Sequence, residues 1–270
     1  KRQPTVPSKY IPHAVNADIF KPMSQEERRR LREVNFHPDD VDKFVIFWNN
    51  RNARRKQSGT LIWWFKEWMD ENNLQGKVQL IMHTEPKDVH GQDLNHIVER
   101  LGLTNREVLF STQKISLDKM PTLYNFADVT VNISDAEGFG LATLESLSCG
   151  VPIIVTETGG LQDQVKRGKT NFGVGIKPIS KAVIGSQQVP YIYEDRISQK
   201  DFNRALTKMY KMPKSQRIMM GKKGREHVMK NYNFKNFKNT WVDYMLDIHE
   251  KEGSWETRKN YSSIILREVA

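Results

Sequence analysis

The chain has 270 residues, 38% hydrophobic and 27% charged, a balance that suits a folded globular protein with a full core and excludes a disordered or fibrous one. No run approaches the ~20 apolar residues of a membrane-spanning helix, the start KRQPTVPSKY lacks the apolar stretch of a secretory signal, and a single cysteine, Cys149, excludes a disulfide scaffold and fits a reducing compartment. A formal net charge of +10 leaves three partner classes open: nucleic acid, an anionic membrane surface or a phosphorylated small molecule.

The first 22 residues carry prolines at 4, 7, 12 and 22, which forbid a continuous helix and read as an extended linker. Met23 to Val34 follows as a helix, with Ser24 and Glu27 spaced as a capping box. The apolar run KFVIFW, Lys43 to Trp48, has the composition of a strand buried on both faces. A basic loop, NNRNARRKQSG, leads into a helix from Thr60 to Asn72. Further strands are expected at Val78–His83, Val108–Ser111, Val129–Ile133, Val151–Thr156 and Gly173–Ile176. Helices lie between them at Asp93–Leu101, Leu117–Phe126 and Leu141–Cys149, the first and last closed by Gly102 and Gly150. After Gly185 the pattern turns helical, at Gln199–Met212, Ser215–Asn231 and Lys235–His249. The last carries Phe237, Trp241, Tyr244 and Met245 at helical spacing, a stripe that reads as core packing. Short apolar strands alternating with helices predict an α/β fold, a parallel sheet with helices on both faces, whose ligands bind at the carboxyl ends of the strands.

Three loops at those ends carry chemistry. In Ser134–Gly160, SDAEGFGLATLESLSCGVPIIVTETGG, Glu137 and Glu145 stand eight apart around Gly138 and Gly140. The glycines admit close approach of a ligand to the backbone, and the helix start beyond them offers unpaired N–H groups to a phosphate. Helical side chains tilt toward the N-terminus, so Glu145 can reach back toward the same ligand, and a carboxylate suits two vicinal hydroxyls. Arg51 through Lys56 supplies cations for phosphates. Gly159 and Gly160 offer either another close approach or a tight turn into a helix. Other patterns fail: Gly168-Lys169-Thr170 lacks the first glycine of a phosphate-binding P-loop, Asp40 and Asp42 precede a strand and read as a turn, and the histidines show no metal spacing.

Together these residues resemble the C-terminal half of a GT-B glycosyltransferase of the large retaining family 4. That family's pattern S-x-x-E-G-F-G-L-x-x-L-E-A-M-A-C-G-x-P-V-V-x-T-x-x-G-G stands nearly unbroken in Ser134–Gly160. Its G-R-x4-K-G phosphate loop matches Asn50-Arg51 through Lys56-Gln57, with both glycines replaced. Its linker motif matches Tyr10 to Pro22, with Ala14 and Asn16 as departures, and its G-x-x-G-R-x-x-V helix matches Gly221, Gly224, Arg225 and Val228. The resemblance covers residues 8 to 250.

The resemblance implies that Arg51 and Lys56 hold the donor diphosphate and stabilise it as a leaving group, with Glu137 beside the donor sugar. It also implies that the N–H groups of Gly138, Phe139, Gly140 and Leu141 meet sugar and phosphate, that Glu145 binds ribose, and that Phe110, Ser111 and Thr112 lie at the base. The donor is then a UDP-sugar or GDP-sugar, with no metal and no cofactor. It further implies an interdomain linker over 1–22, a Rossmann-like nucleotide-sugar domain over 23–250 and a helical extension over 251–270. An N-terminal acceptor-binding domain, not included in this sequence, would complete the enzyme. The expected setting is cytoplasmic, with an anionic membrane surface as a further partner and no nucleic acid. The alternative is a non-catalytic basic module of the same fold that binds nucleotide or nucleic acid.

Overall fold

Six short apolar runs make one parallel sheet in the computed structural model, which describes residues 8–185, 187–254, 256–257 and 259. In chain order the elements are α1 (Gln25–Asn35), β1 (Phe44–Asn49), α2 (Ser58–Glu71), β2 (Val78–His83), α3 (Leu94–Arg100), β3 (Val108–Ser111), α4 (Met120–Phe126), β4 (Val129–Asn132) and α5 (Leu141–Ser148). They continue with β5 (Ile153–Thr156), α6 (Leu161–Val165), β6 (Lys166–Arg167), β7 (Thr170–Asn171), β8 (Gly173–Ile176), β9 (Ser180–Ile184), β10 (Ile192–Arg196), α7 (Gln199–Lys211), α8 (Lys214–Asn231) and α9 (Phe234–Glu252). The sheet order is β3-β2-β1-β4-β5-β8, a doubly wound α/β fold.

Strand alternation divides the core between the two faces. Phe44, Ile46 and Trp48 point to one side, under α2 (Leu61, Phe65, Trp68) and α7 (Phe202, Leu206, Met209). Val45 and Phe47 point to the other, against Tyr124, Leu144, Leu147 and Val228. The capping box at Ser24 and Glu27 forms as the spacing requires. Arg225 of α8 donates to the carbonyls of Ala17, Phe20 and Ser148, so it ties the start of the chain to the end of α5.

The structure refines several of these expectations. The extended segment before α1 packs on the domain: Val15 and Phe20 are buried, and their side chains complete the second face of the core. Asp40 lies, as expected, in a turn, the 3-10 turn over Pro38–Asp40, and is locked between Lys43 and Arg106. The aromatic stripe of α9 is not core: no residue of that helix is buried, and Trp241 and Met245 are 43% and 63% exposed. Its helical spacing reported amphipathicity without saying what faces it. The antiparallel hairpin β9–β10 was unforeseen, since its strands do not alternate cleanly between apolar and polar. The helix expected to reach His249 ends at Glu252, and Trp255 and residues 261–266 of the expected extension lie outside the described residues. Among the described residues no helix is long and apolar enough to cross a membrane.

Candidate functional site

The winding of the sheet reverses between β1 and β4, and in open α/β sheets the ligand crevice lies at such a reversal, at the carboxyl ends of the strands. The basic loop leaves β1 at this point, and the Ser134–Gly140 loop leaves β4. The amide of Asp135 donates to the carbonyl of Arg55 at 2.8 Å, so the two loops are joined through their backbones.

The basic loop is held from below. Asn52 is fully buried and donates to the carbonyls of Pro86 and Gln92, while Ser58 donates to its oxygen at 2.7 Å. Arg54–Lys56 forms a 3-10 turn, and Gln57 then adopts the left-handed conformation with φ 56°. A glycine would take that conformation without cost, and glycine is what the family pattern has there. Gln57 is compensated by its side chain, which donates to Asp135 at 2.5 Å and accepts from Thr60 at 2.6 Å.

Lys56 forms an ion pair with Glu137, and both side chains are nearly buried at 8% and 11% exposure. Burial lowers the Lys56 pKa, and the hydrogen bond to Glu137 opposes that shift. Arg55 lies 3.7 Å from the same Glu137 oxygen and donates to the carbonyl of Ala136 at 2.6 Å. Arg51 is not part of this cluster. Its guanidinium grips Asp88 with two bonds, at 2.7 and 3.0 Å, and is 61% exposed. The bond to Arg51 pulls the Asp88 pKa down to about 2. Arg55, which the motif did not single out, thus joins Lys56 at Glu137, because a run of three basic residues does not say which of them meets a carboxylate.

Beyond Glu137, Gly140 caps α5 with φ 87° and no side-chain cap bond, which leaves the first amides of the helix from Leu141 onward open to a ligand. Gln164 of α6 donates to the carbonyls of Phe139 and Gly140, and Thr143 donates to Gly140 as well. Gly159 and Gly160 serve this loop directly. Gly159 has φ 48°, and a Cβ there would lie 1.6 Å from the carbonyl oxygen of Glu137; the amide of Gly160 donates to the Gly138 carbonyl at 3.1 Å. The close approach at these two glycines is thus to the neighbouring loop, and α6 follows at once.

Glu145 stands one turn into α5, half-buried, and accepts a hydrogen bond of 2.5 Å from the phenol of Tyr124. Burial raises its pKa, opposed by that bond. Phe110 and Ser111 end β3, and Thr112 follows, exposed. Ser111 hydrogen-bonds His83 at 3.0 Å, and burial lowers the His83 pKa. His83 ends β2 beside these residues and no spacing singled it out. The hairpin also reaches the crevice. Glu194 pairs with Arg54 at 2.6 Å, Arg196 with Asp135 at 2.8 Å, and the amide of Asp195 donates to the Asp135 carbonyl. Arg54 is thereby neutralised, and Lys56 and Arg55 are the basic-loop cations gathered at Glu137.

The arrangement offers cations, open helix amides and carboxylates around one crevice, which can neutralise a diphosphate and accept from hydroxyls. Known proteins resemble the chain over part of their length. D-inositol 3-phosphate glycosyltransferase of Paenarthrobacter aurescens (strain TC1) is 30% identical over 163 residues, which are 60% of this chain and 38% of that protein. Among solved structures, sucrose-phosphate synthase from Thermosynechococcus elongatus superposes with a TM-score of 0.69 at 23% identity, over 89% of this chain and 52% of that one. Anabaena HepE in complex with UDP and glucose superposes with a TM-score of 0.65 at 17% identity, over 86% and 55%. At those identities the likeness concerns the fold, and the chain spans from well under half to about half the length of these proteins. The family described as Glycosyl transferases group 1 matches residues 91–227, just over half of the chain, with α5 and the loops on either side of it inside the match. The chain belongs to that family.

Proposed function

We propose that this chain is the donor-binding part of a retaining glycosyltransferase that moves a sugar from a nucleoside-diphosphate sugar to an acceptor. The observation that carries the reading is the Lys56–Glu137 pair beside Arg55, set in the loop that leads into the start of α5, whose N-cap makes no side-chain bond. Cleavage of the sugar–phosphate bond leaves two negative charges on the diphosphate, and fixed cations with helix amides stabilise them as they form. Lys56 and Arg55 supply the charge in this position, and Arg51 joins them by exchanging Asp88 for phosphate. No metal is required for that task. Glu137 sits on the sugar side of the pair, Glu145 accepts from the ribose, and Phe110 to Thr112 with His83 border the base. HepE was crystallised with UDP-glucose, which makes UDP the first nucleotide to try. The chain matches 38% and 52% of the length of these relatives, which supports an acceptor-binding domain elsewhere in the complete enzyme.

Calorimetry with UDP, GDP and ADP and their sugars tests the reading. One of them should bind, unaffected by a chelator, and Glu145→Ala should weaken it by about 1–3 kcal/mol because hydroxyls lose their acceptor. Absence of binding at millimolar ligand sinks the proposal. The alternative, a basic module for nucleic acid, predicts instead affinity for oligonucleotides that collapses as salt rises.

A further inference from the structure

Tyr124 is a fully buried residue of α4, and its ring is clamped edge-on by Phe47 at 5.2 Å and Phe20 at 6.1 Å. Its phenol stands between two polar groups of the crevice. The side-chain amide of Asn49, at the end of β1, donates to the phenol oxygen at 2.8 Å, and the phenol donates to Oε2 of Glu145 at 2.5 Å. The amide nitrogen of Asn49 only donates and an ionised carboxylate only accepts, so the phenol accepts from Asn49 and gives its single hydrogen to Glu145. Oε1 of Glu145 accepts no hydrogen bond among the described residues. The carboxylate is therefore held by one oxygen on a rigid aromatic post, with the other left over.

We propose that Tyr124 is the positioning residue of the ribose subsite: with Asn49 behind it, it fixes the Glu145 carboxylate so that one oxygen is reserved for the donor's ribose hydroxyls. The inference rests on the donor-binding reading above. A ribose then meets an acceptor that is already oriented, so binding does not have to order the Glu145 side chain. The same bond favours the ionised form of Glu145 against its burial. The titratable groups facing Glu145 are the Tyr124 phenol from α4 and the Cys149 thiol one turn further along α5, with Arg28 and Arg225 facing that thiol. Burial pushes both the phenol and the thiol upward, so neither ionises near neutral pH.

The test titrates wild type, Tyr124→Phe and Asn49→Ala with whichever of UDP, GDP or ADP binds wild type, and with its 2′,3′-dideoxy counterpart. Tyr124→Phe should bind the ribonucleotide about tenfold more weakly, the scale of a lost hydrogen bond to a charged group. It should bind the dideoxy form as wild type does, and its ribonucleotide affinity should fall off at a higher pH as Glu145 protonates more readily. Asn49→Ala should show the same selective loss in smaller measure, and it carries the test alone if Tyr124→Phe fails to fold. Equal losses for both nucleotides, or no loss in a folded variant, overturn the role of Tyr124. A wild type that binds the diphosphate but does not distinguish the two forms instead removes Glu145 from the ribose, which is a failure of the underlying reading.

Discussion

Glu145 illustrates the conflict a binding residue carries. Its pKa is raised from 4.5 by burial, so the folded state pays to ionise it and the unfolded state does not. Stability is therefore lost as pH rises from 4.5 through the raised value, and Glu145→Gln should be at least as stable as wild type at pH 7, the difference vanishing below 4.5. The same variant should bind nucleotide less well, which thermal melts and calorimetry on one sample would reveal together; a destabilised Gln variant at pH 7 contradicts the account. Lys56 shares the cost of burial but differs in having a charged partner. It is nearly buried and matched by Glu137, so Lys56→Ala leaves a carboxylate without its partner and should cost about 3 kcal/mol in denaturant unfolding, the low end for a broken buried pair. Removing Glu137 in the same molecule should recover part of that loss. Arg51 offers a third check. Asp88 competes with the donor phosphates for it, so Asp88→Asn should tighten diphosphate binding several-fold, whereas an unchanged affinity would leave Arg51 outside the site.

Among the elements, the two glycine loops are distinguishable by what surrounds them. Gly159 is left-handed, and its Cβ would strike the backbone of Glu137, so Gly159→Ala should cost more than ~2 kcal/mol and displace Glu137 with it. Gly138 has no atom within 4 Å of where a Cβ would stand. Gly138→Ala should fold with wild-type stability and still lose donor affinity, because only a ligand would meet the added methyl. Equal donor affinity in that variant would show that no ligand approaches the loop there. The hairpin acts through the basic loop rather than by itself. Glu194 takes Arg54 out of play and Arg196 steadies Asp135, which in turn anchors Gln57 in its left-handed turn.

For the whole molecule, the net charge of +10 is a weaker guide than it first looks. Arg28 and Arg32 spend their guanidiniums on the carbonyls of Asn125, Phe126 and Ala127 at the end of α4. Arg106 is spent on Asp40 and Arg54 on Glu194. Basic residues that satisfy carbonyls or carboxylates are not available to a nucleic acid. Nucleotide affinity should accordingly fall only gently between low and physiological salt, as for one diphosphate, and not with the slope of many phosphate contacts.

Much of this was legible in the sequence because it is encoded locally. Strand and helix positions follow from short apolar runs, from Gly102 and Gly150 closing helices, and from the Ser24–Glu27 box. The Glu137–Gly160 stretch was legible as one unit because a strand, a turn and a helix start are contiguous in the chain. Which distant groups meet was settled by the packing of the fold. Arg51 turned to Asp88 and Arg55 to Glu137, a choice made by the shape of a 3-10 turn rather than by residue type. Tyr124 found Glu145 because α4 and α5 pack on the same face of the sheet, and Glu194 found Arg54 because a hairpin far along the chain folds back over β1 and β4. Local propensity is set by neighbours a few residues apart, whereas an ion pair or a hydrogen bond across the fold depends on the packing of the whole core.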